Sequence, residues 1–245
     1  MQSTPSIPLL LFTMPDIIDT KLLNMEACMN NVWIVAPVRD NSIDISSFIN
    51  DLTGGFIVPE TYEKENFNNQ TMQIEAEIVS HPHFGKTVQD FTNKIVLVNS
   101  AEDYTEYDGV THVEDFGDIN IARWINTGIN TAIANGATKV VVLSNPCSFD
   151  VSALIDGLAE AENKEVVNIG DGVMFILDGS SEFRLDEQFK IWFWADDFYR
   201  RVADVCGGAR PEFIKLIELI PYIVESQEDI TITKEDEIKY NGKWS

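Results

Sequence analysis

Asp196 and Asp197 are the residues of this chain best suited to chemistry, because of their setting. They close the run Arg184-Leu185-Asp186-Glu187-Gln188-Phe189-Lys190-Ile191-Trp192-Phe193-Trp194-Ala195-Asp196-Asp197-Phe198-Tyr199-Arg200-Arg201. An aromatic stretch leads into two adjacent carboxylates and then two arginines. Carboxylates are costly to bury. A pair held among Trp192, Trp194, Phe198 and Tyr199 would be partly desolvated, which favours a raised pKa and suits a general base. The same residues also fit a plain helix start, with Asp196 as N-cap and Asp197 in the first turn, where negative charge is favourable. No other cluster competes. His81 and His83 flank Pro82 and fit a solvated turn better than a metal site. Neither CxxC nor HxxxH spacing suggests zinc.

Elements that could position the pair are legible upstream. The apolar run Val32-Trp33-Ile34-Val35-Ala36-Pro37 predicts a buried strand, followed by the loop Val38-Arg39-Asp40-Asn41-Ser42. Ile45, Phe48, Ile49 and Leu52 recur at helical spacing, stopped by Gly54-Gly55. A strand is expected at 55–59, and residues 60–92 read as irregular apart from an edge strand within 71–80. Strands are expected at 94–99 and 139–143, with a helix over about 120–135 between them, capped by Gly136. A helix over 151–162 and a strand pair near 166–167 and 173–177 follow. The helix after Asp196 is expected to reach Cys206, Pro211 to Leu219 reads as a further helix, and Ile230 to Thr233 as a strand.

Strands and helices alternate, so the fold class is α/β with a mainly parallel central sheet flanked by helices. In such sheets ligands bind beyond the carboxyl ends of the strands. Those ends are Pro37-Val38-Arg39-Asp40, Asn99-Ser100 and Ser144-Asn145-Pro146-Cys147, all polar loops. The phosphate loops GxGxxG and GxxxxGK[ST] are both absent.

Composition narrows the partners. The chain has 245 residues, 17 basic and 40 acidic, for a formal net charge of −23. Such a surface repels polyanions, so general nucleic-acid binding and docking on an anionic membrane are disfavoured. No apolar run approaches the roughly 20 residues of a membrane span. Cys28, Cys147 and Cys206 are odd in number and widely spaced, which fits a reducing compartment. The expected location is the cytoplasm, or the host cytoplasm for a viral source. Residues 1–30 read as an N-terminal extension and 31–245 as the domain.

In order, these fragments resemble the A-type (GT-A) nucleotide-sugar glycosyltransferases, the nucleotide-diphospho-sugar transferase fold, and within them the large inverting family of rhamnosyl- and capsule transferases. Val32 to Asp40 looks like the family's first strand and loop. Val96 to Asp103 looks like its second strand and acidic loop. Asn126-Thr127-Gly128-Ile129-Asn130-Thr131-Ala132 looks like its Asn-x-Gly-x-x-x-Ala helix, and Val140 to Cys147 like the strand that carries its metal motif. Gly172, Phe183, Asp186-Glu187-Gln188-Phe189, Trp192-Phe193-Trp194, Asp196-Asp197 and Arg200 follow the family order, as does Lys243-Trp244-Ser245 near the end.

The resemblance implies an inverting transfer of a sugar from a UDP-, GDP- or dTDP-sugar to an acceptor hydroxyl, with 31–147 the nucleotide-binding half of the domain and 148–245 its acceptor half. Asp197, with Asp196 beside it, would be the general base. Pro37, Arg39, Asn99, Asn126, Asn145 and Arg200 would contact the donor. Gly172, Trp192 and Trp194 would line a pocket for sugar or acceptor. The acceptor would be a glycan or protein, or a modified DNA base in a viral setting. The family's divalent metal (Mn²⁺ or Mg²⁺) has a poor site here. Ser144-Asn145-Pro146-Cys147 lacks a carboxylate, leaving Asn145 as the one oxygen ligand of note, and Glu225-Ser226-Gln227 replaces a late histidine. The alternative is a relative that binds or scaffolds without catalysis.

Overall fold

The computed structural model describes residues 31–38, 45–55, 57–68, 73–81, 83–92, 94–99, 107–115, 117–144, 147–149, 151–170, 174–205, 212–214, 220–221 and 227–245. In chain order the elements are β1 (Val32–Val38), α1 (Ile45–Asn50), continued by a π turn at Asp51–Gly55, β2 (Thr61–Asn68), β3 (Gln73–Ser80), β4 (Ile95–Asn99), β5 (Val110–Glu114), α2 (Ile121–Ala134), β6 (Lys139–Leu143), β7 (Cys147–Ser148), α3 (Val151–Glu160), β8 (Val166–Ile169), β9 (Met174–Asp178), α4 (Trp194–Val205), β10 (Glu212–Ile214), β11 (Ile220–Pro221) and α5 (Gln227–Trp244).

Seven strands form one sheet in the order β10-β8-β9-β6-β1-β4-β5. β1 pairs in parallel with β4 and with β6, β4 with β5, and β10 with β8; β9 alone runs the other way, antiparallel to β6 and β8. The fold is therefore α/β with a mostly parallel, mixed sheet. Strands from 31–147 and 148–245 share this sheet, so the two halves have no structural seam within it.

β1 explains the arrangement. All seven of its residues are buried, as a central strand covered on both faces requires. Successive side chains alternate. Val32, Ile34, Ala36 and Val38 join a core with Phe48, Ile49 and Leu52 around α1 and with Leu154, Ile155 and Leu158 of α3. Trp33 and Val35 join the opposite core, with Trp124, Ile125 and Ile129 of α2 and Trp194, Phe198 and Val202 of α4. Gly128 belongs to this packing, since a Cβ there would collide with Val35 Cγ1.

Four sequence expectations need correction. Of residues 55–59, the described ones contribute only an isolated bridge, Ile57 to Thr87. The stretch read as irregular holds the hairpin β2–β3, a separate two-stranded sheet, so the expected edge strand pairs away from the main sheet. Within Pro211 to Leu219 the described residues form β10, registered against Val167 to Ile169 of β8; pairing at an open sheet edge outweighs a short helical spacing. Ile230 to Thr233 is helical and lies in α5. Its β-branched residues favour a strand intrinsically, but such preferences yield to context.

Among the described residues no helix is long and apolar enough to cross a membrane.

Candidate functional site

The strand order reverses beside β1: β4 and β5 lie on one side and β6 on the other. In open α/β sheets that reversal leaves a crevice at the carboxyl ends. Pro37 is buried in β1 and sits opposite Val98. Asn99 ends β4 opposite Val38, and Ser144 follows the end of β6. The strand ends expected to hold a donor thus share one edge. Arg39, Asn145 and Gly172 lie outside the described residues, and of Asn99 only the backbone is described.

The Asp196-Asp197 helix packs on the sheet face close to the carboxyl end of β6. Phe198 of α4 stacks near Phe175 at 5.1 Å between ring centroids. Phe175 pairs with Val142, the residue before the end of β6. α4 begins at Trp194, so both aspartates lie in its first turn, and the expectation of Asp196 as N-cap is corrected by three residues, to Phe193.

The residue just before α4, Phe193, has φ of 62°. A bulky non-glycine residue in that region is strained by about 1–3 kcal/mol and persists only where its surroundings over-determine it. Here they do. Phe193 stacks on Tyr240 of α5 at 5.2 Å, and its carbonyl accepts the Asp197 amide at 2.9 Å.

The segment leading to the pair is held from two sides. From α2, Asn126 Nδ2 donates to Leu185 O and to Glu187 Oε1, both at 2.9 Å, and its Oδ1 accepts from Leu185 N at 2.9 Å. Asn120 Nδ2 donates to Glu187 O at 2.8 Å, and Ile121 N to Lys190 O at 2.6 Å. From α5, the buried Asp236 accepts the amides of Ile191 (2.9 Å) and Trp192 (3.3 Å) on one oxygen, and Lys239 Nζ at 3.2 Å on the other. Lys239 also donates to Gln188 O at 3.0 Å.

The two aspartates have opposite environments. Asp196 is exposed. Asp197 is 0% exposed. Its Oδ2 accepts Arg201 Nε at 2.8 Å, and its Oδ1 accepts Lys243 Nζ at 2.7 Å and Trp244 Nε1 at 2.9 Å. Lys243 also reaches Asp186 Oδ2 at 2.7 Å. Burial is the largest influence on Lys243 and lowers its pKa, but the hydrogen bonds to Asp186 and Asp197 outweigh it, so the net shift is upward. At Asp186 burial acts upward, and the Lys243 ammonium and Gln188 amide outweigh it, holding the carboxyl below its ordinary value. Two of the three donors on Asp197 come from α5, and Arg200 lies over the Trp244 ring at 4.4 Å.

The remaining candidates separate in the same way. Trp192 is 49% exposed and is available as a stacking surface. Trp194 is 5% exposed, its Nε1 donates to Ile191 O at 2.9 Å, and it belongs to the core. It therefore supports the segment, and the pocket-wall role expected of it does not fit its burial. Asn126 is likewise turned inward. Its short bonds are made within the protein, so it positions residues 185–187 where a donor contact was expected. Arg200 is exposed.

Asp236, Lys239 and Tyr240 escaped the sequence reading. The signal was their spacing: 236, 239, 240, 243 and 244 form one helical face. That face is polar and aromatic, so a search for apolar periodicity passes over it.

No family model, curated protein or solved structure matches this chain. The geometry must carry the functional reading. Among the described residues no group of three or more His, Cys, Asp or Glu side chains is placed to hold a metal ion. The third strand-end loop, Ser144-Asn145-Pro146-Cys147, offers no carboxylate. Hard divalent cations prefer anionic oxygen ligands, so this loop does not fit the metal that the glycosyltransferase resemblance implies.

Proposed function

We propose that the protein transfers a sugar from a nucleotide-sugar donor to an acceptor hydroxyl, on a sheet of the GT-A kind. The observation that supports this reading is the combination of two features of one sheet. The strand order reverses beside β1, as it does in sheets that bind nucleotides at their carboxyl ends, and α4, packed on the sheet face through Phe198 and Phe175, carries the carboxylate pair and Arg200.

In the reaction the acceptor oxygen attacks the anomeric carbon. The bond from that carbon to the diphosphate breaks, and the diphosphate leaves with the bonding electrons. The hydroxyl proton passes to the carboxylate pair. As the pair stands, Asp196 is the member that solvent and substrate reach. Leaving-group charge falls to cations, and Arg200 is the described residue exposed for that task. Trp192 offers an aromatic face for the sugar or acceptor. The acceptor class is a glycan or protein hydroxyl, with a modified DNA base reserved for a viral setting.

A second reading, a relative that binds nucleotide sugars without catalysis, is favoured by the three donors that close over Asp197 and by the loop without a carboxylate. Calorimetric titration with UDP, GDP and dTDP compounds, with Mn²⁺ and then chelator, tests both. Selective binding of one nucleotide, unchanged by chelation, is expected. No binding of any nucleotide refutes both readings. Binding without turnover of the matching nucleotide sugar, with or without Mn²⁺, selects the second.

A further inference from the structure

Asp197 is closed chiefly by α5, a helix held to this segment mainly by polar and aromatic contacts. Of the described α5 side chains from Thr231 onward, only Asp236 is buried, and Ile238 is 73% exposed. α5 holds the segment through Asp236 on two amides, Lys239 on a carbonyl, Lys243 on two carboxylates, Tyr240 on Phe193 and Trp244 on Arg200. Apart from Tyr240, which also packs on Phe189 of the core, these contacts are polar, so α5 is held by fewer apolar contacts than the packed cores on the two sheet faces and is the kind of element that opens locally before them. The strained backbone at Phe193 adds a reason to open, because Tyr240 and Asp236 hold that conformation from α5. When these contacts part, the Lys243 and Trp244 donors leave Asp197 Oδ1 together.

We propose that α5 is an autoinhibitory latch: closed, it seals Asp197 under Lys243 and Trp244; open, it presents Asp197 beside Asp196 as a working pair. The proposal rests on the transferase reading for the meaning of the pair but not for the movement itself. A substrate that needs Asp197 binds only the open form, so its apparent affinity is reduced by the open fraction.

Two measurements test it. Native-state hydrogen exchange on the unmodified protein should show α5 amides exchanging through a local opening, well before those of β1 and β6. Exchange of α5 only together with β1 and β6 would overturn the latch. Carbodiimide coupling to an amine, mapped by mass spectrometry, reads the carboxylates directly. In the unmodified protein Asp196 should label and Asp197 should not. In the double variant Lys243→Ala, Trp244→Ala, Asp197 labelling should rise to that of Asp196. Protection of Asp197 despite freely exchanging α5 amides would also overturn the latch. Nucleotide-sugar turnover by the same variant separates the two ideas. Labelling without increased turnover leaves the latch standing and removes the transferase reading. Increased turnover with Asp197 still protected does the reverse.

Discussion

Replacing Asp197 with asparagine tests how the site is built. The side chain keeps its volume, so no cavity forms. It loses its charge, and its amide presents a donor to Arg201 Nε or to the Lys243 and Trp244 donors, each now within 3 Å of a carboxylate oxygen. Removing one partner of a buried ion pair costs about 3–5 kcal/mol. Arg201 and Lys243 are each 29% exposed and regain some water, which brings the expectation to roughly 2–3 kcal/mol. For a chain of this size each kcal/mol lowers Tm by about 2–4 °C, so a fall of roughly 4–12 °C is expected by calorimetry. Pairing the substitution with Lys243→Met in a double-mutant cycle should give a coupling of about 0.5–3 kcal/mol. A loss below about 0.5 kcal/mol, the range of ordinary surface changes, or strictly additive effects would refute the ion cluster as the holder of α4 to α5. Nucleotide affinity should be nearly unchanged while transfer is lost; equal loss of both would assign Asp197 to the fold or to donor binding.

Asp236→Ala removes the acceptor for the Ile191 and Trp192 amides and should cost about 1–3 kcal/mol, with a shift in tryptophan fluorescence from Trp192; an unchanged spectrum and urea midpoint would count against the bracket. Gly128→Ala forces a methyl against Val35 and should destabilise by about 1–3 kcal/mol through overpacking, read by urea denaturation; a neutral result would mean that α2 lies farther from β1. Asp178 is held at about 2 by Lys139 and Ser180, against burial that acts upward. A depressed folded pKa means stability that is present above the unfolded value of 3.8 and is lost as pH falls toward 2. The urea midpoint should therefore decline across that window, and Asp178→Asn should flatten the decline; an equal slope in both proteins would exclude Asp178 as a source.

The sheet was legible because its strands are apolar runs with few alternatives. Val32 to Pro37, Lys94 to Asn99 and Lys139 to Leu143 each form the strand expected, and their carboxyl ends fall on one edge. Gly128 and Ala132 read as fragments of a helix pattern, and their burial against the sheet gives that pattern a packing basis. What escaped was tertiary. The hairpin β2–β3 and the edge strand β10 depend on partners that local sequence does not name. α5 is recognised by what it docks against, since Asp236 meets two amides and Lys243 two carboxylates 44 to 57 residues upstream. Its Thr and Ile content argued locally for a strand, and the long-range contacts prevailed.

The division of labour within the aspartate pair follows from helix geometry. With 3.6 residues per turn, adjacent side chains point about 100° apart. Two neighbouring aspartates in a first turn therefore cannot face the same surface. Their phase is set by the residues three and four positions away, which share a face. Asp197 shares its face with Trp194 and Arg201, next to the core residue Phe198, and is drawn under that cover; Asp196 shares its face with exposed Arg200. The aromatic neighbours of Asp197 go with its burial, and in that position it is paired with Arg201 at i+4. The carboxylate is thus closed in part by its own helix, and a second element completes the seal. In this chain that element is α5, and Lys243 and Trp244 are where its closure acts on Asp197.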